Sequence, residues 1–146
     1  MKSIAAILLI VVSSTNPAWA VLGQSRESVR LDAQNLKGTQ TTTEMSGYSI
    51  EEISRNDGVV LREFVSPEGK VFGITWKGPT LPNLSNLLGP YFPAYQQANQ
   101  STHRRGPRSI HSGALVVETG GHMRAFHVRA YLSDHLPSGV SQDVVQ

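Results

Sequence analysis

The sequence predicts an α+β fold: one domain built on an antiparallel sheet of about five strands, in the order α-βββ-α-ββ, with helices packed on one face. Three observations lead there. Ser25 to Leu36 carries helix signals at both ends. Two turn sequences, Asn56-Asp57-Gly58 and Ser66-Pro67-Glu68-Gly69, interrupt a run of good strand formers. A Gly120-Gly121 pair divides a second such run near the C-terminus.

In the first element Ser25 suits the N-cap, Glu27 lies in the positive first turn, and Gly38 suits the left-handed position after Lys37. Val29, Ala33 and Leu36 form one stripe, which Leu22 extends. A polar run, Thr39 to Glu44, leads into a three-stranded meander over residues 47–77. Closing its second hairpin between Ser66 and Lys70 predicts Phe64 opposite Phe72, Arg62 opposite Ile74 and Val60 opposite Trp76, all on a core side. Closing the first between Arg55 and Val59 predicts Ile50 opposite Phe64 and Glu52 opposite Arg62. The same count places Glu51 opposite Glu63 on the outer side, where solvent would dilute the pair.

Leu84, Leu87, Leu88, Tyr91, Phe92 and Tyr95 recur at helical spacing, and Pro90 and Pro93 divide the segment into a short helix and an irregular helical turn. Gln96 to Ser109 reads as a surface loop. Ile110 to Tyr131 reads as one hairpin, with Thr119 opposite His122 and Leu115, Val117, Phe126, Val128 and Ala130 facing the core. The domain therefore spans residues 21–132, and residues 133–146 read as a polar, flexible tail.

The first twenty residues have the layout of a cleavable secretory signal. Lys2 supplies the positive end, Ile4 to Val12 is apolar, and Ala18-Trp19-Ala20 puts small residues where a signal peptidase cuts. Cleavage after Ala20 would release a periplasmic or secreted bacterial protein. The apolar run is far shorter than the ~20 residues that cross a bilayer. There is no cysteine, which excludes disulfides, thiolate metal sites and lipid attachment through cysteine. The 13 Lys and Arg nearly balance the 11 Asp and Glu, so a nucleic-acid footprint is not expected.

The run Arg62-Glu63-Phe64-Val65-Ser66-Pro67-Glu68-Gly69-Lys70-Val71-Phe72-Gly73-Ile74-Thr75-Trp76, with Gly78-Pro79 and Leu87-Leu88-Gly89-Pro90-Tyr91-Phe92, resembles domain of unknown function 2844. That family comprises small exported proteobacterial proteins. The resemblance implies export and a single domain, and it carries no catalytic residue, cofactor or substrate onto these positions.

Candidate sites are few. The five histidines show no metal-ligand spacing, and no metal or other cofactor is expected. No nucleophile elbow or preorganised triad is present, so no catalytic residue is assigned. Arg62 with Glu52 is a candidate anion receptor, although a register-fixing cross-strand pair is the plainer reading. His127, Arg129 and Glu118 share the side of the last hairpin opposite its apolar set, as a binding surface or as ordinary solvent face. Trp76, Tyr91 and Tyr95 are candidates for a partner surface. Arg104, Arg105 and Arg108 form the one local basic cluster, suited to a polyanion or simply to solubility. Together these point to a non-enzymatic exported module that binds an envelope protein or a small ligand. The alternatives are a hydrolase-type enzyme using Glu, His and Arg side chains, or a structural accessory of an envelope or secretion system.

Overall fold

The computed structural model describes residues 22–101 and 106–146. The predicted leader and the loop residues Arg104 and Arg105 lie outside them. The elements run α1 (Arg26–Leu36), β1 (Thr39–Met45), β2 (Tyr48–Ser54), β3 (Val60–Val65), β4 (Val71–Gly78), α2 (Leu84–Leu88), α3 (Phe92–Gln100), β5 (Arg108–Ser112), β6 (Leu115–His122) and β7 (Ala125–Leu132). All strands join one antiparallel sheet in the order β1-β2-β3-β4-β7-β6-β5. After β4 the chain crosses one face as α2 and α3 to reach the far border, so β7 returns to pair with β4.

The sheet thus has seven strands, not about five. β1 escapes a search for alternation because it is polar throughout and exposed along its whole length. Its four threonines are nevertheless good strand formers, and Ser46-Gly47 closes it onto β2. β5 is separate because the chain turns at Gly113-Ala114, with Gly113 at φ 59°. The β6–β7 turn falls at Met123-Arg124, so Thr119 opposes Val128 instead of His122. Facing is set within each strand, so Leu115, Val117, Val128 and Ala130 still reach the predicted core side. The left-handed residue that ends α1 is Lys37 (φ 52°), one position earlier than predicted.

The β2–β3 register is as counted: Ile50 opposes Phe64, Glu52 opposes Arg62 and Glu51 opposes Glu63. The β3–β4 register is not. Val65 opposes Val71, but Phe64 opposes Gly73, so Phe72 is an extra residue in a β-bulge. Arg62 consequently faces Thr75, and Trp76 faces Leu61. The bulge puts Phe72 with Phe64 on one side of the sheet and sends Ile74 and Trp76 to the other.

Both sides are covered. On the first, Val29 and Ala33 of α1 and Leu87, Leu88 and Tyr95 of α2 and α3 pack on Ile53, Leu61, Ile74, Trp76, Val117 and Val128. Helices on one face are therefore observed. On the second, Phe64, Phe72, Val116 and Tyr131 are covered by the C-terminal segment through Leu136, Val140, Val144 and Val145. Residues 133–146 were expected as a tail without a place in the fold. Instead Val145 is fully buried, over Gly73, where an added Cβ would approach its methyl carbons to 2.7 and 3.0 Å. A glycine at the bulge thus makes the seat for the chain's end.

Candidate functional site

The carboxyl groups that the fold buries lie beneath α1, where the sequence places none. Glu51 and Glu63, predicted outside, are 3% and 0% exposed, and Asp32 of α1 is 1% exposed. The reason is the bulge, which makes the side carrying Leu61, Glu63 and Val65 the helix-covered one. Asp32 follows Val29 by three residues and so falls on the buried stripe of α1.

The acids are treated differently by their surroundings. Glu51 accepts from Thr42 at 2.6 Å and Gln40 at 3.1 Å, and pairs with Arg26 at 3.1 Å. Arg26 also donates to Ser49 and reaches Glu44 at 3.4 Å. Neither carboxyl oxygen of Glu63 has a hydrogen-bond partner among the described residues. Burial pushes the Glu63 carboxyl well above its ordinary value of 4.5, and Asp32 and then Glu51 add to the effect. An isolated charge there would cost several kcal/mol, so the neutral acid is the favoured form.

Beside this cluster lies a cavity of about 80 Å³, lined by Asp32, Leu61, Trp76, Asn83, Asn86 and Leu87 with Leu36 and Pro82 at its rim. Asn83 is exposed at its mouth and caps α2, its side chain accepting from the Ser85 amide at 3.0 Å. Trp76 is fixed by donating its indole N–H to the Thr80 carbonyl at 2.9 Å. The cavity greatly exceeds the ~10–15 Å³ that one water needs, yet is smaller than the ~150 Å³ that admits a benzene ring. It suits a short group or the end of a longer molecule.

The sequence-predicted candidates do not converge there, Trp76 excepted. Arg62 and Glu52 do pair, at 2.7 Å, but on the opposite face, where both are about one-third exposed. Arg62 also donates to the Gln146 carbonyl at 3.2 Å, so the pair helps to hold the chain's end. Arg129 bonds Glu118 at 2.9 Å and donates to the carbonyls of Val145 and Gln142 at 2.5 and 2.6 Å. That surface is covered by the C-terminal segment, while exposed His127 lies over Gly120 at the hairpin end. Tyr95 is buried and stacks on Phe92, and Tyr91 is half-buried over Gly23, so the three aromatics do not form one open patch. Arg108 is held by Asn99 of α3 at 2.6 Å. Among the described residues no group of three His, Cys, Asp or Glu side chains is placed to hold a metal ion. Nor is any helix among them long and apolar enough to cross a membrane.

One antiparallel sheet, helix-covered on one face and sealed by its own C-terminus on the other, defines a small α+β domain. The chain belongs to the family described as protein of unknown function DUF2844, which it matches over residues 18–145. No curated protein and no solved structure matches it.

Proposed function

We propose that this chain is an exported, non-enzymatic binding domain, and that its ligand is a small molecule with a short alkyl end and a cationic amine. The reading of export rests on the leader pattern. The observation that carries the ligand class is the cavity itself. Leu36, Leu61, Leu87 and Trp76 line it, and Asp32 brings a carboxyl group to the same lining. An ammonium group there gains both a carboxylate and an aromatic ring. It also opposes the push that Asp32 and Glu51 exert on the Glu63 carboxyl. An anion would add to it.

The hydrolase alternative has less support. Glu63 has the raised pKa of a general acid, but it is fully buried and does not line the cavity, so no substrate reaches it.

Isothermal titration of the full-length chain with propylammonium, propanol and butyrate tests the proposal. Saturable binding of the ammonium alone, lost in Asp32→Asn and in the cavity-filling Leu87→Trp, is the expected result. Equal binding of all three, or of none, overturns it.

A further inference from the structure

β1 is one border of the sheet, and among the described residues no strand pairs with its outer side. Proteins guard such borders with Lys, Pro, bulges, short strands or a covering element. The opposite border is guarded in this way. β5 is five residues long, follows Pro107, begins with Arg108 and is braced by Asn99 of α3. β1 has none of these devices. It runs seven residues in unbroken register, contains neither Pro nor a basic residue, and bears a single charge, Glu44. Its side chains are also ordered from beneath, because Glu51 holds both Gln40 and Thr42.

The turn fixes which of its backbone groups are free. Ser46-Gly47 is a two-residue loop, so Met45 and Tyr48 form the hydrogen-bonded closing pair. Bonded and non-bonded pairs alternate from there. Thr43, Thr41 and Thr39 therefore direct their amides and carbonyls to β2, and Glu44, Thr42 and Gln40 direct theirs outward. Thr42 is the centre both of the strand and of this outward set.

We propose that β1 is a self-association edge, on which a second copy of this chain pairs antiparallel about a two-fold axis at Thr42. Thr42 of one copy opposes Thr42 of the other, and Gln40 opposes Glu44 on both sides of the axis. Each of these three pairs exchanges backbone hydrogen bonds. The only charge on the edge, which Arg26 of its own chain also pairs, meets a neutral side chain rather than a second acid. Moving the axis two residues toward the turns, a four-residue slide of one strand along the other, would set Glu44 against Glu44, a like-charge pair that disfavours that alignment. The closed dimer leaves only its two guarded β5 borders free.

Thr42 supplies the test. Its N–H points away from β2, so Thr42→Pro keeps the backbone bonds of the β1–β2 ladder, loses the hydroxyl bond to Glu51, and blocks the edge. The wild-type chain is expected to sediment as a reversible dimer with slowed amide exchange at Gln40, Thr42 and Glu44. Thr42→Pro should raise the dissociation constant at least about tenfold, equivalent to 1.4 kcal/mol. Because the chain has no cysteine, Thr42→Cys introduces one thiol. Across the axis its Cα atoms would sit ~5.5 Å apart, within disulfide reach, so mild oxidation should cross-link the dimer. Should Thr42→Pro fail to fold, the Thr42→Cys chain decides alone: no cross-link under mild oxidation overturns the proposal. A monomer at every attainable concentration overturns the proposal. So does a dimer that neither Thr42 variant affects.

Discussion

Glu51 and Glu63 lie directly opposite one another on neighbouring strands, both buried, and only Glu51 has hydrogen-bond partners. Two acids side by side in a dry place are treated unequally: one is paired with Arg26 and accepts from Gln40 and Thr42, and the other is pushed toward its neutral form. That division ties the helix-covered face of the sheet to pH through Glu63.

The first consequence concerns pH. Because the Glu63 carboxyl is raised in the folded state, the native chain binds more protons than the unfolded one above the ordinary value of 4.5. Stability from this group is full below that value and is lost as pH rises through the raised one, at up to about 1.4 kcal/mol per pH unit. Glu63→Gln keeps the shape without the titration. Its denaturation midpoint should be flatter with pH than that of the wild type over this window, and higher at its alkaline end. Parallel curves for the two proteins would place Glu63 in contact with water.

The second concerns the seat of the C-terminus. Gly73→Ala brings a Cβ to 2.7 Å from Val145 and should destabilise by about 1–3 kcal/mol. Val145→Ala loses buried methyl groups and should also destabilise. Combined, the two should cost less than their sum, because each relieves the other. A double-mutant cycle of chemical denaturation measures this, and strict additivity would mean that Val145 does not sit over Gly73.

The third separates two arginines that look alike in sequence. Arg62 and Glu52 are each about one-third exposed, so Arg62→Leu should cost no more than about 1 kcal/mol. Arg129 is less exposed and serves the Glu118 carboxylate and two carbonyls of the C-terminal segment. Removing it leaves those acceptors short of a donor, and Arg129→Leu should cost about 2–3 kcal/mol. Equal melting temperatures for the two variants would contradict this division.

How far the sequence carried depends on which physical signal each element left. The β2–β3 pairing of Glu52 with Arg62 was legible because Asn56-Asp57-Gly58 fixes a turn, and a turn fixes a register. The β3–β4 pairing failed at a single residue. Phe72 bulges, and the one available sign was Gly73, which in a strand marks a bulge or a close approach. From that slip came the wrong face for Trp76 and the outward placement of Glu51 and Glu63. Asp32 is a polar residue on an otherwise apolar helical stripe, so an apolar pattern does not reveal it. Its spacing from Val29 already placed it inward. β1 left no alternation to read, since neither of its faces is buried. The C-terminal seat depends on valines scattered among polar residues, and nothing local distinguishes Val145 from a loop residue.

The ionisation of Glu63 reports most directly on whether the buried acids and the cavity act as one site. A pH titration of its side-chain carboxyl carbon by NMR, with and without propylammonium, follows that group alone. The predicted result is a midpoint above 4.5 in the free chain that moves down when the amine binds beside Asp32. A midpoint at the ordinary value, or one that the amine leaves in place, would contradict it.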